Sequence, residues 1–237
     1  MNALTLRLRK RFTHGIAGGI TYTLSKAMDD TAAIGGGAMV VAQDDRNLGA
    51  EWGLSSFDQR QRLNGDFTYE LPFGPDARWA TRGIAAALLE HWTWNISAQF
   101  ASGNPFTARI AAASTDVAGG TNGTLRADYT GSPIALADPT TGAWFNTAAF
   151  STPAAGTYGT AARNTIIGPG ISTMNMRVTR TIPFDRTRAL SIDLSASNVF
   201  NTAQYSTIDT YVNSPTFGQV IAARASRRVQ LLFRLRF

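Results

Sequence analysis

Few side chains in this sequence are of the kinds that do chemistry, and their spacing decides what they could do. There are two histidines, His14 and His91, and no cysteine. A triad-type hydrolase site or a His-based metal centre needs more than two isolated imidazoles, and a disulfide framework needs thiols. The acidic pairs Asp29-Asp30 and Asp44-Asp45 could join backbone carbonyls around a hard cation such as Ca²⁺. They lack the spacing of an EF-hand loop, so solvated loop charge is the simpler role. The glycine-rich pieces, Gly35-Gly36-Gly37 among them, follow neither a phosphate-loop nor a dinucleotide pattern. One group could touch a ligand: Arg126, Asp128, Tyr129, Trp144 and Phe145, where aromatics beside charge would suit a sugar or a peptide. Packing of a long loop onto itself is the commoner role for such a group. No constellation supports an enzyme, and no cofactor is implied.

What must position these residues is a series of alternating stretches. The clearest is the end of the chain, Ser226–Phe237. Val229, Leu231, Phe233, Leu235 and Phe237 fall on one face of an extended strand, and Arg228, Gln230, Arg234 and Arg236, with Leu232, fall on the other. The same period of two predicts strands over residues 3–11, 16–25, 59–71, 91–101, 172–182 and 188–199. Leu4, Leu6 and Leu8 oppose Arg7 and Arg9; Trp92, Trp94, Ile96 and Phe100 oppose Thr93, Asn95, Ser97 and Gln99. Residues 84–89 have the makings of a short helical turn. Residues 26–58, 102–171 and 200–225 show no sustained period and read as loops.

Loop length is sorted. Short connections (13–15, 183–187) and a medium one (72–90) alternate with the long ones, so an antiparallel order puts every long loop at one end of the sheet. Outer-membrane barrels have this asymmetry, whereas a soluble sandwich has no reason for it. Strands of roughly 9–12 residues suit a tilted membrane crossing. Trp92, Trp94, Tyr69 and Phe67 lie near the short-turn end of the apolar faces, where an aromatic girdle would sit. The net charge of +6 comes from arginines on alternate strand positions rather than in a run, so a solvated lumen wall explains it more simply than nucleic acid. That wall would carry Arg7, Arg9, Arg60, Arg62, Arg177, Arg228, Arg234 and Arg236. The opening MNALTLRLRKRF alternates at once and has no apolar signal-peptide core. The reading is therefore all-β: a transmembrane barrel segment of about seven long antiparallel strands over 1–237, open rather than closed, because barrels of this kind are even-numbered. The rival is a soluble all-β binding module, for carbohydrate for example, in which the apolar faces would pack against a second layer.

A set of short motifs adds a family to this reading. Tyr22-Thr23-Leu24-Ser25-Lys26-Ala27-Met28-Asp29-Asp30 is followed by Asp58-Gln59-Arg60-Gln61-Arg62-Leu63 and Tyr69-Glu70-Leu71-Pro72-Phe73-Gly74. Then come Ser102-Gly103-Asn104-Pro105-Phe106-Thr107, Trp144-Phe145-Asn146, Arg163-Asn164, Gly168-Pro169-Gly170 and Ser197-Asn198-Val199-Phe200-Asn201. The ordered series resembles the end of TonB-dependent outer-membrane receptors of the Oar-like group, which carry a carboxypeptidase-regulatory-like domain. The resemblance implies a barrel of about 22 strands plugged by an amino-terminal domain. It also implies nutrient uptake driven through TonB. By the same resemblance Phe237 would be read by the barrel-assembly machinery, and TonB would be reached only through a plug. This sequence has no plug, no TonB box and too few strands, so the expectation is a carboxyl-terminal portion of such a receptor, in the outer membrane and in contact with its lipid.

Overall fold

The computed structural model describes residues 1–30, 42–44, 46–74, 79, 82–111, 125–185 and 187–237. Gly35-Gly36-Gly37 and Asp45 lie outside the described residues. Seven long strands form one antiparallel sheet in chain order: β1 (Asn2–Thr13), β2 (Ile16–Lys26), β3 (Gln61–Glu70), β4 (Trp92–Ala101), β5 (Ile171–Pro183), β6 (Ala189–Ser197) and β7 (Arg228–Arg236). The sheet does not close. β1 and β7 are its two edges and, after six reversals of direction, they run the same way.

The register carries the alternation across the whole sheet. On one face Leu8 lies beside Ile20, Leu63 beside Phe100, Trp94 beside Val178, Val178 beside Leu194, and Leu194 beside Leu231. On the other, Arg62 lies beside Thr23, Asp66 beside Ser97, Asn95 beside Arg177, and Ser191 beside Arg234. Because the period is two, a slip of one residue in any pair would exchange these faces, so the polarity of the two surroundings fixes the register. Nothing among the described residues roofs the apolar face. Leu8 is 72% exposed, Trp94 40%, Leu231 57% and Phe233 61%. A soluble sandwich would bury these side chains against another layer, so the soluble alternative does not hold.

Two-residue reversal at His14-Gly15 explains one of the histidines. His14 has φ 53° and Gly15 φ 77°, the doubly left-handed turn that matches the twist of a hairpin. A Cβ at Gly15 would sit 2.8 Å from the Glu70 carbonyl oxygen, so the position takes glycine on space as well as on conformation. His91 is likewise left-handed, at φ 59°, where the chain enters β4. Both imidazoles thus belong to turns at the short-connection end. The 71–91 connection holds the expected helix, α1 (Gly83–Leu89). No helix among the described residues is long and apolar enough to cross a membrane, which leaves crossing by strands untouched.

The long connections differ from their sequence reading. They lack periodicity, yet they pack together into a cap with its own core: Ala108, Ile110, Leu125, Ala127, Phe145, Ala149, Phe150, Ala161, Ile166 and Ile208. Phe145 stands edge-on to both Phe150 and Phe217, with ring centroids 5.9 and 5.2 Å apart. The cap core draws on segments far apart in the chain, so no local pattern announces it.

Candidate functional site

Two surfaces could meet a ligand: the polar face of the sheet, and the cap at the long-connection end. The motifs quoted above meet where the two join. Asp58 accepts the Ala27 backbone N–H at 2.6 Å, which ties the top of β2 to the entry of β3. Gln59 donates to the Asn104 side-chain oxygen at 3.0 Å, and the Asn104 amide donates to the Ser56 carbonyl at 3.2 Å. Phe106 and Pro105 pair with Ile166 and Ile167 as a two-residue ladder. The Asn164 N–H donates to Thr107 Oγ1 at 2.9 Å, while its side-chain amide reaches the Leu54 carbonyl at 2.5 Å. A Cβ on Gly103 would lie 1.7 Å from the Gly168 carbonyl oxygen, so the two glycine motifs are in backbone contact. These residues are stitches between loops.

Two buried ion pairs complete the stitching. Arg126 bonds Glu51 at 3.3 Å, and Arg163 bonds Asp29. Both carboxylates come from the 26–58 connection and both guanidiniums from 102–171. Glu51 Oε1 also accepts the Gln43 N–H at 3.1 Å, and Gln43 in turn accepts the Arg126 N–H at 2.7 Å and donates to the Gly159 carbonyl at 2.9 Å. Burial pushes the Arg126 pKa below its ordinary value; Glu51 opposes that shift and the nearby Arg163 adds to it. Beside Arg126 lies a cavity of about 460 Å³, lined also by Asp44, Asn47, Tyr158 and Thr160.

The five residues singled out from sequence meet different surroundings. Arg126 is 5% exposed and held by Glu51. Asp128 accepts the Thr160 N–H at 3.0 Å and its hydroxyl at 3.1 Å, and the Tyr129 N–H donates to the same hydroxyl. The Tyr129 ring is 44% exposed beside Phe150. Trp144 donates its indole N–H to the Ile167 carbonyl at 3.0 Å and stands edge-on to Tyr205. Phe145 is 2% exposed in the cap core. Of the five, only Arg126 borders the 460 Å³ cavity. Glu51 and Gln43, which hold Arg126, went unnoticed in the sequence. Each lies in an aperiodic stretch, partnered 75 and 83 positions away. Asp29, weighed above as a solvated charge or a cation ligand, is instead the partner of Arg163.

The third long connection is pinned through Asp209, which is 6% exposed. Burial alone would raise its carboxyl pKa. Hydroxyl bonds from Ser214 and from Thr216 (2.6 Å), with the Tyr211 N–H at 3.0 Å, outweigh burial and hold it below the usual range. A depressed pKa means stability that is full above the unfolded value of about 3.9 and is lost as pH falls through the folded value. Amide exchange in the Tyr205–Ile208/Val220–Ala223 hairpin is therefore expected to accelerate on acidification below about pH 4. In Asp209→Asn it should be faster at neutral pH and insensitive to that acidification. An unchanged acid response in the variant would remove Asp209 from this role.

The polar face offers a wall of mixed hydrogen-bonding groups with excess positive charge. Arg7, Arg9, Arg62, Arg177, Arg228, Arg234 and Arg236 share it with Asp66, Glu70 and Asp193. The ion pairs among the described residues lie in the cap and at Asp185–Arg188, and none lies on this wall. Asp193 accepts from the Thr179 hydroxyl at 2.5 Å, and Asn95 accepts from Thr68 at 3.0 Å. Two cavities hollow the wall. One, of about 510 Å³, is bordered by Asp66, Asn95, Arg177 and Arg228; the other, of about 690 Å³, lies higher, under Gln204 and Arg224.

A family model described as an outer membrane beta barrel domain matches residues 1–230. No curated protein and no solved structure matches the chain. The lipid-type alternation, the sorted connections and the open seven-stranded sheet agree with the family match. The chain belongs to the outer membrane beta barrel domain family, and its place is the outer membrane.

Proposed function

We propose that this chain forms part of the barrel wall of a TonB-dependent receptor, which takes up a nutrient ligand across the outer membrane. The reading rests on one observation above the others: a polar face rich in arginines that, among the described residues, find no carboxylate partner on it, lying beneath a folded cap of three long connections. Such a wall suits a wide hydrated lumen occupied by an acidic polypeptide surface, as a plug would supply. The apolar face meets lipid, and the β7 strand with Phe237, 93% exposed, would be read by the barrel-assembly machinery. TonB would be engaged through a plug and not through these strands. The chain works as wall and cap, without catalysis and without nucleic acid.

The test is nutrient uptake in cells. Deletion of the gene should abolish growth on one scarce nutrient from among siderophores, cobalamin, sugars and peptides. Reintroduction should restore growth only where TonB is intact. Restoration in cells lacking TonB would overturn the proposal, as would growth unaffected by the deletion on every nutrient class.

A further inference from the structure

The helix α1 is built for a medium other than water. Its seven residues, Gly83–Leu89, include no polar side chain. Yet Ile84 is 81% exposed, Leu88 56% and Leu89 42%, while Ala86 turns inward at 4%. A helix on an aqueous surface carries polar residues on its outer side, and a helix this short is marginal in water on its own. Ile84 and Leu88 are one turn apart, so they form a single outward stripe.

Its attachment places it on the apolar side of the sheet. Arg180 sits in register with Trp92 and Ile192, among apolar-face residues, although it is an arginine. Its guanidinium lies 5.7 Å from the centre of the Trp92 ring and donates to the Ala87 carbonyl at 2.5 Å. Trp92 donates its indole N–H to the Leu88 carbonyl at 3.0 Å. Two carbonyls of the last helical turn, which have no partner within a helix, are thus satisfied by a cation and an indole, and the cation also complements the negative end of the helix dipole. Lys10 is another cation on that face. It too lies near the short-turn end and bends to the Thr13 hydroxyl at 3.1 Å. Cations that reach toward an interface from an apolar surface, beside tryptophans, mark the depth at which hydrocarbon gives way to head groups.

We propose that α1 is an interfacial anchor: it lies in the head-group boundary of the membrane leaflet at the short-turn end, with Ile84 and Leu88 in the upper acyl region. Arg180 is the positioning residue that straps it to the barrel wall. The occupant of this surface is phospholipid, because the stripe continues the apolar belt of Trp92 and Trp94 without a break in kind. Arg82 at one end, with Glu90 and His91 at the other, supplies the charged and polar edge.

The proposal rests on the reading of the apolar face as lipid-facing, and the experiment separates the two. The chain has no cysteine, so single nitroxide labels report one position each. Labels at Ile84→Cys, Leu88→Cys, Leu194→Cys and Gln99→Cys would be read in outer membranes isolated from expressing cells, by collision with oxygen and with a water-soluble nickel chelate. Leu194 is expected to favour oxygen and Gln99 nickel. Positions 84 and 88 should favour oxygen severalfold over position 99, at a shallower depth than 194. In an Arg180→Gln background the labels at 84 and 88 should become mobile and nickel-accessible while 194 is unchanged; Arg180→Lys should restore part of the contact. Nickel access at 84 and 88 with oxygen access at 194 would sink the anchor and leave the lipid face standing. Nickel access at 194 as well would sink both.

Discussion

Glu51→Gln is expected to destabilise the cap by about 3–5 kcal/mol, the cost of leaving a buried cation without its counter-charge. Glu51 and Arg126 have side chains only 8% and 6% exposed, and they join segments 75 residues apart. Burial leaves little solvent to replace the lost carboxylate, and Arg163 next door makes the stranded charge worse. The loss falls on the cap and not on the sheet, because the strands are tied by their own ladders. Exchange of the Ile110 and Ala127 amides, which bond Leu125 and Ala108 across the cap, should accelerate steeply. Exchange within β4 and β5 should not. The double variant Glu51→Leu/Arg126→Met should recover much of the loss, since an apolar pair of similar volume removes both charges together. Unchanged exchange at Ile110 in the single variant would show that the pair is ornamental.

Leu194→Arg should cost about 2–4 kcal/mol if residue 194 faces the middle of the bilayer, while Ser195→Arg, one position along, should be nearly neutral. Leu194 stands between Val178 and Leu231 on the apolar face; Ser195 stands between Arg177 and Gln230 on the polar one. The two sites share a strand, a local backbone and a distance from the edges, so the contrast isolates the medium each side chain meets. Urea unfolding of the protein in lipid vesicles reads it directly. Equal costs at both positions would mean that the two faces see the same surroundings.

Legibility in the sequence followed the range of the interactions. β7 was expected within Ser226–Phe237 and is found at Arg228–Arg236. The expected strands at 91–101 and 172–182 are Trp92–Ala101 and Ile171–Pro183. Those elements write themselves into a period of two because each residue's neighbours up and down the chain face opposite media. Arg180 was passed over, since its charge breaks the pattern on a face that otherwise alternates cleanly. What it does there depends on a carbonyl 93 positions away. The cap was read as loop for the same reason. Arg163 and Asp29 are separated by 134 positions, Thr107 and Asn164 by 57, and neither pair leaves a trace in its own neighbourhood. For the group of aromatics beside charge, folding sends Phe145 inward, Tyr129 outward and Arg126 to Glu51, a dispersal that residue types alone do not foretell.

The like orientation of β1 and β7 limits what can finish the ring. A twin docked head-to-tail would have to form parallel rungs in an otherwise antiparallel cylinder. A twin docked edge-to-same-edge would hang its cap on the far side of the membrane. An antiparallel seam at both borders, with all caps outward, instead demands an odd number of intervening ribbons that both starts and ends in the upward sense, toward the caps.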